Sequence, residues 1–370
     1  MNVSVSSNGT LNLTIAAAEW TVLPVFSLFV FITAFLGNGL LMVTFIRERS
    51  LRTPFNVYII NLLAANLAVV IFQYPMDIVT NLHSAWLLGN GACNLYLYAN
   101  SVFGACICNS HMLIAINRMW AVSFPLSYRT HHSRRTAVCL CLGVWVYVHV
   151  GVGPPVIIDA LYFRLPIETN GCMINAPEQQ AWEIVIEVIY WLPQIVMLAT
   201  FPITWCAKRS QRKRVHGTAG SMAAGATQVQ PEEEFDGTKA GSIQIQMQSG
   251  SNFTVMRSQQ PSIEANSIVA QPVTQPVTTH VNVAARSKRG NSHGFLVLAL
   301  LTVSVCICWT PNNVFYTISF IYVIDDPVFY DIQTVLFILQ TAIDPIIFTL
   351  ALSSVRAGLL RLFRCQAPAR

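Results

Sequence analysis

Charge is what this chain lacks. Only 11% of its 370 residues are Asp, Glu, Lys or Arg, against about 25% in a typical soluble domain. A soluble chain of that length could not clothe its surface with so few charges, so a water-soluble globule is excluded. Also missing are a His/Cys cluster at zinc spacing, a nucleophile elbow and a glycine-rich phosphate loop. No catalytic constellation is present, no metal or cofactor is called for, and no nucleic-acid partner is expected.

What is there is apolar: 54% of the residues are hydrophobic. They come in blocks long enough to span lipid, at 23–46, 56–80, 93–117, 137–158, 181–207, 294–322 and 329–352. Lipid offers no partners to backbone N–H and C=O groups, so these blocks are expected to be helices. Pro75, Pro154, Pro155, Pro193, Pro202, Pro311 and Pro345 fall within them, tolerated as kinks where neighbouring helices cover the freed carbonyls. The block from Cys93 to Pro125 has His111 as its only chargeable residue between Asn94 and Ile116 before Arg118 arrives. As a helix it sets Cys93 and Arg118 roughly 37 Å apart, close to a bilayer with its interfacial layers. Basic residues crowd alternate connections: Arg47, Arg49 and Arg52; Arg129, Arg134 and Arg135; Lys208 to Arg214 and Arg286 to Arg289; Arg356, Arg361 and Arg364. The other connections hold almost none, Arg164 excepted. The expected product is a multi-pass plasma-membrane protein, N-terminus extracellular and C-terminus cytosolic.

Five regions follow. Residues 1–22 form an extracellular tail with sequons at Asn2, Asn8 and Asn12, candidate glycosylation sites. No cleavable leader is evident, so the first span is expected to act as its own insertion signal. Residues 23–207 hold spans one to five. Residues 208–290, rich in Ser, Thr, Gln, Gly and Pro, read as a disordered third intracellular loop. Residues 291–352 hold spans six and seven. Residues 353–370 hold a short amphipathic eighth helix and a tail, where Cys365 is a candidate palmitoylation site. Of the ten cysteines, only Cys93 and Cys172 fall at the outer face, an oxidising compartment, and are expected to form a disulfide.

These residues resemble rhodopsin-like (class A) G-protein-coupled receptors. The resemblance rests on Gly37-Asn38, Asn61 to Asn66, Trp86 with Cys93, Asn117-Arg118-Met119 with Pro125-Leu126, Trp145, Pro193, Cys308-Trp309-Thr310-Pro311 and Asp344-Pro345-Ile346-Ile347-Phe348. It implies an all-α seven-transmembrane bundle in which an agonist packs against Trp309 and helix six swings about Pro311. Arg118 then faces a cavity for a heterotrimeric G protein, into which Leu126 also points. Several residues depart from the pattern. Asn117 stands where an acid usually precedes the arginine, and Asn291 where an acid often opens helix six; a weak inactive-state clamp and raised basal activity are expected. Phe348 and Phe201 replace tyrosines that usually help hold the open state, which would impair coupling. The family's helix-two Asp and helix-seven Asn, which help bind sodium, are exchanged as Asn66 and Asp344, and Ile107 replaces a helix-three hydroxyl. A protonated Asp344 bonded to Asn66 is the expectation there.

The ligand is open. The resemblance disfavours retinal, since Ile338 replaces the Schiff-base lysine, and classical amine recognition, since Asn100 replaces the helix-three aspartate. Asp77, Glu183, Glu187 and Asp331 are other acids that could anchor a cation. The expected pocket comprises Asn100, Ser101, Gly104, Trp309, Asn312, Asn313, Thr334 and Asp77. The expected switch comprises Arg118, Asn117, Trp309, Pro311, Asn66, Asp344, Pro345 and Phe348. A receptor signalling to G proteins is the main reading. A receptor-like protein that does not signal itself but modulates a partner receptor is the alternative; a transporter or channel, for which a pair of matching broken helices is lacking, is a distant one; a receptor oligomer and the lipid bilayer complete the expected partners.

Overall fold

The computed structural model describes residues 3–5, 11–13, 17–83, 85–226, 281–322 and 326–364. Every expected span is a helix: Val22–Arg47, Pro54–His83, Gly89–Ser123, Arg134–Phe163, Ala176–Gln211, Phe295–Ile321 and Pro327–Ala351, hereafter helices one to seven. Their large outward side chains are apolar; Phe29, Leu36, Leu142, Val146, Ile195, Ile307 and Leu350 are all exposed. Such a surface suits lipid and not water. Helix eight, Ser353–Phe363, completes an all-α membrane architecture. A short antiparallel ribbon, Val3–Val5 with Leu11–Leu13, lies in the N-terminal tail.

Local chemistry sets the helix starts. Thr53 Oγ1 accepts from Asn56 N–H at 3.3 Å ahead of Pro54. Ser133 caps Thr136 at 3.2 Å, and Asp326 caps Val328 and Phe329 at 3.0 and 3.1 Å. Each is an oxygen acceptor for an otherwise orphaned helix-end N–H. The helices overrun the apolar blocks because a helix runs to its cap rather than to its last apolar residue.

Two spans are interrupted. Helix two divides at Gln73 into Pro54–Phe72 and Tyr74–His83, beside Pro75, which has no N–H to donate. Helix three contains a π turn at Ala99–Phe103, a feature frequent at functional sites.

The expectation of an unstructured 208–290 meets helix at both ends. The fifth helix continues to Ala226 and the sixth begins at Val281, because extending a formed helix costs far less than nucleating one. Residues 227–280 lie outside the described residues. The bundle comprises residues 1–212 and 285–370, with 213–284 a separate unit.

Close approaches hold the bundle. A Cβ on Gly37 would lie 2.9 Å from Pro345, and one on Gly358 2.9 Å from Leu51 and 3.1 Å from Thr44. The first glycine lets helix one meet helix seven; the second seats helix eight on the end of helix one. There Arg361 grips the buried Glu48 through two bonds of 3.2 and 3.1 Å.

Candidate functional site

One end of the bundle carries a disulfide, the other Arg118. At the disulfide end Cys93 is bonded to Cys172, tying the connection between helices four and five to helix three. Arg164, the exceptional basic residue, is paired with the buried Asp159. Asp159 also accepts from Asn175 N–H at 2.8 Å, so this cation is used in holding the connection down.

Below lies a polar layer in two groups. In the first, Asp77 accepts from Tyr96 Oη at 2.7 Å and from Gln73 Nε2 at 3.1 Å. Gln73 Nε2 also donates to Asn100 Oδ1 at 3.0 Å. Asp77 and Thr334 line a narrow cleft with Ser27, Tyr74, Asn81 and Ile338. Among the described residues both hydrogen-bond partners of this carboxylate are neutral. In the second group, Tyr190 donates to the Ser101 carbonyl at 2.9 Å and presses on Gly104, where a Cβ would sit 2.8 Å from its hydroxyl. Asn313 Nδ2 donates to Gln194 Oε1 at 2.9 Å. Gln194 in turn donates to Thr310, and Asn312 is buried beside Asn313. Trp309, 1% exposed, sits lower on the same helix.

Under Trp309 lies a hydrogen-bonded set of side chains centred on Asp344. His111 meets the Trp309 ring edge-to-face at 4.9 Å between centroids. Its Nε2 lies 2.9 Å from Asp344 Oδ1, and both side chains are fully buried. Asp344 also accepts from Asn66 Nδ2 at 2.9 Å and from Gln340 Nε2 at 2.6 Å. Asn66 Nδ2 reaches Asn38 Oδ1 at 3.0 Å. Asn38 donates to the Thr341 carbonyl at 2.8 Å, and Gln340 reaches Ser304 at 3.2 Å. Helices one, two, three, six and seven thus converge on one carboxylate. Beside it, Trp145 donates to Asn61 at 2.8 Å and Asn61 to Ser110 at 2.7 Å, joining helices four, two and three.

At the arginine end, no carboxylate lies within ion-pair distance of Arg118 among the described residues. Its guanidinium stacks on Phe55, 3.0 Å from the ring centroid, a cation–π arrangement. Asn117 accepts from Tyr128 Oη at 3.2 Å and donates to His132 Nε2 at 3.0 Å. Tyr58 Oη lies 3.3 Å from the same nitrogen. Burial pushes the Tyr128 phenol up and the His132 imidazole down, the latter with a smaller contribution from Arg118. Leu126 is 77% exposed on the short helix Pro125–His131. Phe348 is fully buried, and Phe201 packs on Phe295.

The sequence model of the 7 transmembrane receptor (rhodopsin family) matches residues 37–348. The chain belongs to that family. Relatives of this rhodopsin-family receptor include Melanopsin-A of Danio rerio, 31% identical over 171 residues, covering 45% of this chain and 29% of the relative. Melanopsin of Felis catus is 31% identical over 175 residues, 46% and 36% of the two chains. The Alpha-2B adrenergic receptor of Procavia capensis habessinica is 30% identical over 213 residues, 55% and 51% of the two. The receptor therefore spans between 29% and 51% of the lengths of these relatives.

Of the residues expected from sequence, the structure joins Asn66 to Asp344, stacks Pro345 on Gly37, and places Asn100 one amide from Asp77. It separates the expected pocket into the two groups above. Pro311 lies inside helix six, two residues before Asn313 of the Asn313–Gln194 bond. His111, Gln73, Tyr190, Gln340, Tyr128 and His132 were not singled out as site residues. His111 alone had a signal, as the one chargeable side chain deep in helix three. Asn2, Asn8 and Cys365 lie outside the described residues, while Asn12 is in the second strand.

Proposed function

We propose that this rhodopsin-family receptor transmits the binding of an extracellular ligand to a heterotrimeric G protein through outward movement of helix six. In this reading the disulfide end faces outward and the arginine end the cytosol, as the basic connections require. The carrying observation is the run of contacts from Trp309, next in helix six to the Gln194-bonded Thr310, through His111 to Asp344. It gives a ligand on helices three, five and six a physical route to helix seven. A ligand shifts such an equilibrium only through contacts that differ between the two states. Arg118, bound by no carboxylate, would face the G protein with Leu126.

The ligand class this site favours is a cation. Among the described residues the hydrogen-bond partners of Asp77, the Tyr96 hydroxyl and the Gln73 amide, are both neutral, so the carboxylate has no cation of its own. The helix-three position of classical amine receptors is Asn100, but Gln73 connects it directly to Asp77.

The test is basal G-protein activation in cells expressing the receptor, compared with Arg118→Ala at matched surface level. Activity that disappears in the variant supports signalling; activity unchanged by the variant refutes the assigned role of Arg118. A second reading, modulation of a partner receptor without signalling, is favoured by the missing hydroxyls at Phe201 and Phe348. It predicts silence from this chain and an altered response from a co-expressed receptor.

A further inference from the structure

Asn66 and Asp344 hold the positions at which the family implies a sodium ion. A hard cation requires converging oxygens. Here three N–H groups converge instead: Asn66 Nδ2 on Oδ2, and Gln340 Nε2 and His111 Nε2 on Oδ1. The two amides turn their N–H groups, not their oxygens, to the carboxylate. Ile107 offers no oxygen from helix three. Sodium does not fit this arrangement.

The imidazole explains why none is needed. Nδ1 lies 2.9 Å from the Ile107 carbonyl, which can only accept, so Nδ1 carries a hydrogen. Nε2 faces Asp344 Oδ1 at 2.9 Å, a distance that requires a hydrogen between them. The pair therefore holds one proton on that line and carries no net charge, whichever of the two atoms is bonded to it.

We propose that His111 takes the place of the solution cation. The mid-membrane carboxylate is completed by a side chain of helix three, and the resting state is indifferent to sodium. The consequence for signalling is that the charge-balancing group is fixed beneath Trp309. A sodium ion could leave when helix six moves; this imidazole can only be repacked, through its edge-to-face contact with the tryptophan.

The experiment uses the full-length receptor purified in nanodiscs. Thermal unfolding is followed in sodium chloride and in N-methyl-D-glucamine chloride at equal ionic strength. The wild type is expected to unfold at the same temperature in both, and His111→Asn to gain stability specifically from sodium. Sodium stabilisation of the wild type that Asp344→Asn abolishes would overturn the proposal, as would a His111→Asn variant that folds and ignores sodium. Should that variant not fold, the double variant His111→Asn/Asp344→Asn is compared with each single one. A double variant recovered in higher folded yield than His111→Asn supports the pair; one no better refutes it. The thermal readout needs no G protein, so it stands or falls separately from the signalling role.

Discussion

Two buried or half-buried carboxylates sit in the same bundle and are treated in opposite ways. Asp344 is fully enclosed, with an imidazole at 2.9 Å and two amide donors. Asp77 lines a cleft and is held by a phenol and an amide, both neutral. Removing a carboxylate from water is costly unless it is paired and hydrogen-bonded. Asp344 meets that requirement within the chain, whereas Asp77 meets only the hydrogen-bonding half. The first is thus satisfied by the receptor's own side chains. On the proposed reading, the second takes its counter-charge from a cationic ligand.

The comparison breaks most decisively at His111. His111→Ala leaves Asp344 buried without its partner, and removing one member of a buried pair costs about 3–5 kcal/mol. Surface expression and the unfolding temperature should fall steeply, and Asp344→Asn in the same chain should recover part of the loss. Equal stability of His111→Ala and wild type would remove the distinction between the two acids. At Asp77 the expectation is reversed. Asp77→Asn keeps an oxygen for Tyr96 and loses the one that accepts from Gln73, whose amide still donates to Asn100, so stability should change by about 1 kcal/mol. Response to an activating cation should weaken by about 2–5 kcal/mol, roughly thirty-fold to several-thousand-fold. The measurement is a concentration–response series with a panel of primary and quaternary amines. A panel in which no amine activates the wild type, or activates both equally, sinks the cationic ligand. Between these lies Asn61→Ala, which removes the acceptor of Trp145 and the donor to Ser110. It should lower the unfolding temperature modestly, by the ~1 kcal/mol of a typical hydrogen bond, without altering the cation response.

The spans, the disulfide and the Asn66–Asp344 contact were legible in the sequence because each rests on local composition or on a family position. The partner of Asp344 was not. His111 is 233 residues away, and in a helix that is apolar all round no periodicity marks which face turns inward. The same reason hid Gln340 and Tyr190, whose value depends on helix rotation. Gln73 became a connector only because helix two breaks there beside Pro75. Tyr128 and His132 lie in a connection that the charge pattern described only as basic. The extensions of helices five and six were missed because composition registers Ser, Thr and Gly, not the continuity of a helix already begun.

The smallest effect sharpens the contrast from the arginine end, where no carboxylate among the described residues pairs with Arg118. Asn117 Nδ2 can only donate, so the Nε2 of His132 is an acceptor and the ring is neutral in this arrangement. Burial, followed by Arg118, lowers its pKa below the ordinary value of about 6.5. A base whose folded pKa is depressed binds fewer protons than in the unfolded chain. Its contribution is therefore complete above about pH 6.5 and is lost as pH falls from there through the folded value. Protonating Nε2 removes its capacity to accept from Asn117 and Tyr58, loosening the cluster beside Arg118. Basal activity in inside-out vesicles should rise a few-fold as the exposed face is taken from about pH 7 to about pH 5.5. His132→Phe keeps a ring against Tyr128, whose centroid is 4.3 Å away, but cannot titrate. Its pH profile should be flatter than that of the wild type. An unchanged slope would mean that acid acts elsewhere, and that the neutral cluster at this end does not restrain Arg118.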